Sequence, residues 1–328
     1  MSSLALRRSE GWVLKAVLIV LALIVVAIVV GVFYVRQNPL AIYVKSTRAE
    51  LAKAGLALES MDTSAGRLAY WEGGTGPTLV LLHGVGDQSG AFQGVVAGLL
   101  EEHRLLIPDL PGHGDSEPAE GPLKMTVVYA GLAELLAAKA GGEPVTLIGS
   151  SMGGWLSLIH AMRQPEAVAR VVGVNAGGLR GDRTDLSLMP PDREAARVLM
   201  RALRDPSSEP LPDFVLDDIV ERSAGGPIGR MTAEWNDLEA HLLEGKLGEI
   251  DVPVDLVWGE SDQLLSLAYA ERMREGLPRA RLTLIEKCGH HPANECPAKL
   301  AETLDEVLAM DPPEPAPAEA DSAGEDAS

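Results

Sequence analysis

The chain is predicted to be an α/β protein: a mostly parallel sheet with helices on both faces, an inserted helical cap, and one membrane-crossing helix ahead of them. Short apolar runs of strand length, such as Thr78–Leu82 (TLVLL) and Val145–Ile148, alternate with longer stretches of helical period. Strands buried on both faces of a sheet read this way. The alternation stops between residues 178 and 250, where prolines and charges surround scattered Leu, Met, Phe and Trp, and resumes at Val252. So long a block is too much for a loop of a compact domain, which predicts an inserted cap. Finally, Ala16–Val35 passes twenty residues without a charge.

That last segment comes first in the chain. As a helix it is about 30 Å long, the thickness of a bilayer's hydrocarbon core. Lys15 and Arg36 bracket it, and Trp12 and Tyr34 fall where interfacial aromatics belong. The competing reading is a cleaved signal peptide, but the apolar run outlasts an h-region and no clear A-x-A site follows. Residues 1–15 are then a flank, 16–35 the anchor and 36–64 a helical linker. Basic residues lie on both sides of the segment, so the positive-inside rule gives no orientation.

The body divides into a core over 65–177 and 251–310 and the cap over 178–250. Strands are expected at Arg67–Trp71, Thr78–Leu82, Arg104–Ile107, Val145–Ile148, Val168–Val174, Val252–Trp258 and Arg281–Ile285. Helices are expected at Gly90–Glu102, Lys124–Ala140, Met152–Arg163, Leu267–Leu277 and Pro297–Ala309. The end, 311–328, is Pro, Ala, Ser and acids without apolar periodicity, which predicts a disordered acidic tail.

Composition excludes some partners. A net charge of −19 argues against nucleic acid, whose phosphates need clustered cations. Two cysteines, Cys288 and Cys296, form neither a disulfide scaffold nor a CxxC metal or redox pattern; one bridge between them is open to a domain in an oxidising compartment, and free thiols are expected.

The chemistry gathers at strand ends. Gly149-Ser150-Ser151-Met152-Gly153 fits G-x-S-x-G between a buried-strand pattern and a helical one, the setting that motif requires. The frame selects Ser151, since Ser150 would need glycine where Ile148 stands. Gly149 and Gly153 let strand and helix approach closely. An N-cap serine is the plainer reading of the same residue. A hydroxyl needs a base to become a nucleophile. His290, in a loop after the strand 281–285 and at the same carboxyl edge as Ser151, is the candidate, with His291 its competitor. A carboxylate must orient that base. Asp262 follows the strand ending at Trp258, and the order Ser151, Asp262, His290 suits this kind of sheet. An oxyanion needs backbone N–H donors. These are expected from Met152 and, in the turn His83-Gly84-Val85-Gly86, from Val85. His83 and Gly84 support that turn, and Asp109, Gly112 and His113 fix a neighbouring loop.

Taken together, LLHGVG, IPDLPGHGDS, LIGSSMGG, VWGESDQLL and CGHHPANECP, in this order over about residues 65–308, resemble the α/β-hydrolase family. The branch they look most similar to is the membrane-anchored monoacylglycerol lipases and related bacterial lipases and esterases. The resemblance implies that the motifs carry the oxyanion turn, a structural loop, nucleophile, acid and base. The apolar amino-terminal segment resembles a bacterial signal anchor, which implies an amino terminus inside and a catalytic domain outside the cytoplasm. A second histidine beside the base departs from the usual pattern. A serine at the elbow excludes the haloalkane and epoxide branches, which use aspartate. The implied activity is hydrolysis of a small-molecule ester or lipid through an acyl-serine, with no metal or organic cofactor. Two other readings stay open: a C–C bond hydrolase with the same elbow, and a binding module on a catalytically dead fold.

Overall fold

The computed structural model describes residues 3–181 and 185–315, and the side chains from Trp12 onward. Most of the expected acidic tail, 316–328, lies outside the described residues.

Eight strands form one sheet in the order β1-β2-β4-β3-β5-β6-β7-β8. They are β1 (Ala57–Thr63), β2 (Gly66–Gly73), β3 (Thr78–Leu82), β4 (Arg104–Pro108), β5 (Val145–Ser150), β6 (Val168–Val174), β7 (Val254–Gly259) and β8 (Ala280–Ile285). The pairs β1–β2 and β2–β4 are antiparallel and the rest are parallel. The apolar runs are the central strands because both their faces are covered; Leu79, Val80, Leu81 and Leu82 are all buried. One core cluster gathers Val80, Leu82, Leu147 and Leu256 on one face, the other Leu79, Leu81, Ile148 and Val257.

The helices are α1 (Ser3–Gln37), α2 (Pro39–Lys53), α3 (Val96–Leu99), α4 (Met125–Lys139), α5 (Met152–Arg163), α6 (Arg193–Ala202), α7 (Asp213–Ser223), α8 (Pro227–Thr232), α9 (Trp235–Ala240), α10 (Leu267–Gly276), α11 (Pro292–Glu295) and α12 (Pro297–Ala309). Expected elements recur within a few residues of their predicted ends. The helix expected over 90–102 is instead a 3₁₀ turn, Ser89–Gly94, followed by α3.

Two segments depart from expectation. Residues 36–64, expected as a helical linker, are packed on the domain and end in a strand. They hold α2, with Thr47 and Leu51 buried, and the edge strand β1. Arg48 of α2 pairs with Asp109 and Asp115 and donates to Gln88 Oε1 at 3.1 Å. β1 reads ALESMDT, with most of its side chains exposed, so it lacks the apolar signature that marks buried strands. The second departure is at Cys288 and Cys296. They are joined in a disulfide with Cα atoms 6.1 Å apart, where free thiols were expected. The loop after β8 doubles back through α11 and brings them together, which their spacing in the sequence does not reveal.

Among the described residues the cap is helical, α6 to α9, and side chains fasten it to the core. Arg230 donates to the carbonyls of Gly121 and Pro118 at 2.7 Å each. Asp237 accepts from the Thr126 amide at 3.2 Å, occupying the free N–H groups at the start of α4. Of the scattered apolar residues of the cap, Leu199 and Met231 are buried, while Trp235 is exposed. Within the apolar part of α1, Trp12–Gln37, an 18-residue stretch has a mean hydropathy of 3.5 and none of that stretch is buried by the rest of the chain. It is long and apolar enough to cross a membrane.

Candidate active site

The turn between β5 and α5 puts Ser151 at φ 50°, ψ −113°, a region costly for a residue with a side chain. Close packing keeps it there. A Cβ on Gly153 would lie 2.0 Å from the Leu82 carbonyl oxygen, and one on Gly149 2.3 Å from the Gly153 oxygen. The Ser151 amide donates to Val174 O at 3.0 Å, and Ser151 O accepts from Gly177 at 2.9 Å. Strand and helix therefore meet at van der Waals limits, and the serine side chain is lifted off the sheet's edge. Ser150 remains the last residue of β5 and is buried.

His290 comes to this serine from the other end of the sheet. Its Nε2 lies 3.0 Å from Ser151 Oγ and its Nδ1 2.7 Å from Asp262 Oδ2. An ionised carboxylate only accepts, so Nδ1 carries the proton and Nε2 presents a lone pair to the hydroxyl. His290 and Asp262 are both buried. The His290 amide donates to Leu203 O at 2.8 Å, and Gln263 N to Ala202 O at 3.0 Å, so the end of α6 holds the base loop and the acid loop together. Glu295 accepts from Gly289 N at 2.7 Å and from Asp205 N at 2.8 Å, and the disulfide closes the same loop.

His291 does not compete. Its ring packs edge-on against His290 with centroids 4.8 Å apart, and burial beside His290 pulls its pKa down to about 3. Asp255, inside β7, is bound to Arg170 at 2.5 Å and to Arg281, a structural cluster away from the edge.

The turn after β3 passes directly over the serine. A Cβ on Gly84 would sit 3.2 Å from Ser151 Cβ and 3.8 Å from its Oγ. His83 accepts from Leu110 N at Nε2, 3.0 Å, so its Nδ1 is protonated and donates to Gly84 O at 2.7 Å. Burial lowers its pKa, which keeps it neutral in this role. The carbonyl of Gly84 is thereby engaged, and the next amide, Val85 N–H, has no acceptor among the described residues. Met152 opens α5, where first-turn amides are unpaired by geometry. The loop 109–116 buttresses the turn: Asp109 accepts from Ser89 N at 2.8 Å, and buried His113 packs 5.2 Å from His83.

One residue of this site is invisible to motif reading. Asn175, directly after β6, is fully buried at φ 44°. Its Nδ2 donates to Asp262 Oδ2 at 2.7 Å, the same oxygen that receives His290. The only trace in the sequence is a polar residue ending an apolar strand, GVNAGG. Among the described residues no cluster of His, Cys, Asp and Glu is placed to hold a metal ion.

A mostly parallel sheet with a G-x-S-x-G turn at its carboxyl edge, a buried histidine at that serine and a buried aspartate behind the histidine, defines the α/β-hydrolase fold. The chain belongs to the alpha/beta hydrolase family, whose sequence profile matches residues 79–303. It is 27% identical to Lipase 1 of Psychrobacter immobilis over 278 residues, 80% of this chain and 86% of that protein. It is 24% identical to a 2-hydroxy-6-oxo-6-phenylhexa-2,4-dienoate hydrolase of Burkholderia cepacia over 246 residues, covering 68% and 85%. Among solved structures, that of a membrane phospholipase A superposes with a TM-score of 0.69 at 28% identity, covering 90% of this chain and 98% of the other.

Proposed function

We propose that the chain is a membrane-anchored serine hydrolase that cleaves carboxylic esters, lipid-like ones above all, through an acyl-serine intermediate. One observation carries the reading: a single imidazole, His290, bonded to Ser151 on one side and to Asp262 on the other. In the first half-reaction Ser151 Oγ attacks the ester carbonyl carbon and its proton passes to His290 Nε2. Asp262 stabilises the imidazolium through Nδ1–H. The carbonyl oxygen becomes an oxyanion facing the Val85 and Met152 amides. Collapse expels the alcohol, which takes the proton back from Nε2. Water then enters, gives its proton to His290, attacks the acyl carbon, and the acid leaves with Ser151 restored. Each proton goes out and returns through one nitrogen.

The lipid preference is supported by α1, which would keep the site beside a bilayer, and by relatives that include a lipase and a membrane phospholipase A. A catalytic domain outside the cytoplasm is supported by the disulfide, since such bonds persist in oxidising compartments. A C–C bond hydrolase is the second reading, favoured by the Burkholderia relative.

The test is hydrolysis of p-nitrophenyl esters from acetate to palmitate by the full chain in detergent. Turnover rising toward medium or long acyl chains is expected, with Ser151→Ala reducing kcat about ten-thousandfold or more. No ester turnover, together with cleavage of a vinylogous ketoacid, overturns it in favour of C–C hydrolysis. Protease accessibility in intact cells tests the side of the membrane: cleavage of the domain from outside is expected, and full protection contradicts it.

A further inference from the structure

We propose that Asn175 is a positioning residue of this site: its side-chain amide holds the Asp262 carboxylate in the orientation in which it grips His290. This rests on the serine-hydrolase reading above.

Consider how Asp262 is held. Its Oδ1 accepts from two amides of its own loop, Leu264 N at 2.8 Å and Leu265 N at 2.9 Å. Both act on one oxygen, so by themselves they leave the carboxylate free to pivot and to follow any movement of the loop. Oδ2 is the oxygen that meets His290, and its other partner is Asn175 Nδ2 at 2.7 Å. Asn175 belongs to a different element. Its backbone N–H donates to Val257 O at 2.9 Å, and its Oδ1 accepts from Gly259 N at 3.2 Å, so it is fixed to strand β7 rather than to the acid loop. A backbone N–H can only donate, which assigns oxygen to the Gly259 side and the NH₂ group to Asp262. The amide therefore spans a strand end and the carboxylate, and every polar atom on it is used in a site closed to solvent.

The residue type fits both demands made on the position. At φ 44° the backbone is left-handed, which asparagine, aspartate and glycine tolerate better than other residues. Aspartate would set a second carboxylate against Asp262, and glycine would leave Oδ2 with His290 alone. Of the three, only asparagine supplies both the backbone and a neutral donor.

This separates the two things Asn175 does. Asn175→Gly keeps the backbone and removes the amide; Asn175→Asp keeps shape and backbone but exchanges donor for acceptor. Both are measured in the full chain against p-nitrophenyl butyrate, with thermal melting and the far-downfield NMR resonance of the His290 Nδ1 proton. The proposal expects Asn175→Gly to lower kcat about 10- to 100-fold with KM within about twofold, and to shift or broaden the downfield resonance. It expects the activity of Asn175→Asp relative to wild type to rise as pH falls, because a carboxyl sharing one proton with Asp262 donates as the amide did. A glycine variant with wild-type kcat and an unmoved resonance overturns the proposal and leaves Asn175 a purely backbone role. A ratio for Asn175→Asp that is flat in pH overturns it equally, and that variant decides should glycine prevent folding. If the wild-type chain turns over no ester and Ser151→Ala changes nothing, the hydrolase reading fails instead; the resonance in Asn175→Gly still reports on the amide.

Discussion

Cutting the chain just after α2 is expected to destabilise the domain severely, whereas cutting just before it is not. A chain starting at Asn38 lacks α1 but keeps α2; one starting at Gly55 lacks both. The second loses Leu51, which is fully buried in the core cluster that holds Leu79, Leu81, Ile148 and Val257, and Arg48, the partner of Asp109. Removing a buried leucine side chain costs about 2–5 kcal/mol. Asp109 is 1% exposed, and stripping a buried carboxylate of its arginine costs about 3–5 kcal/mol. The two sit one helical turn apart and are not independent, so about 5 kcal/mol is a fair lower figure for the pair. Whole domains are stable by about 5–15 kcal/mol, so the loss is a large part of the total. With an m-value near 3 kcal/mol per M, urea midpoints of the two truncations should differ by about 2 M. Equilibrium unfolding followed by tryptophan fluorescence measures this. Midpoints within about 0.5 M of each other would refute the packing argument, and α2 would be a spacer after all.

Other substitutions probe the site and its frame. Ser150→Ala should retain ester turnover, because Ser150 ends β5 with its side chain buried and has no bond to His290. Gly153→Ala should give inactive or insoluble protein, since the new methyl would overlap the Leu82 carbonyl, whereas Gly98→Ala, with open space around it, should be neutral or slightly stabilising. Reducing the Cys288–Cys296 bridge opens a short loop worth about 2–3 kcal/mol, so a dithiol should lower Tm by several degrees and reduce kcat by freeing the base loop; unchanged kcat would show the loop is held without it. Burial holds His113 neutral with a pKa near 3, below its unfolded value of 6.5. The unfolded state then binds the extra proton, so stability falls as pH drops from about 6.5 toward 3, by up to about 1.4 kcal/mol per pH unit. His113→Phe should flatten that slope in acid unfolding, and an unaltered slope would assign it to other groups.

Much of this was legible in the sequence, and the boundary of what was not is physical. Runs such as TLVLL announce strands because burial on both faces demands apolar residues at every position. Ser151, Asp262 and His290 each sit where a strand ends, and motif spacing singled out all three as candidates; the structure brings them within hydrogen-bonding distance. β1 escaped because an exposed edge strand has no such demand placed on it. Helix α2 escaped as a packed element because its two buried residues, Thr47 and Leu51, are outnumbered by exposed ones. Asn175 and the disulfide escaped for a different reason. Each depends on a partner brought close by the fold, Asp262 across 87 residues and Cys296 through the turn of α11, and neither leaves a local pattern.

The most direct measurement of the central claim is labelling of the full chain with a fluorophosphonate, followed by peptide mapping. One adduct is expected, on Ser151, abolished in Ser151→Ala, retained in Ser150→Ala and strongly slowed in His290→Ala. An adduct on Ser150, or no adduct on a folded chain, would contradict it.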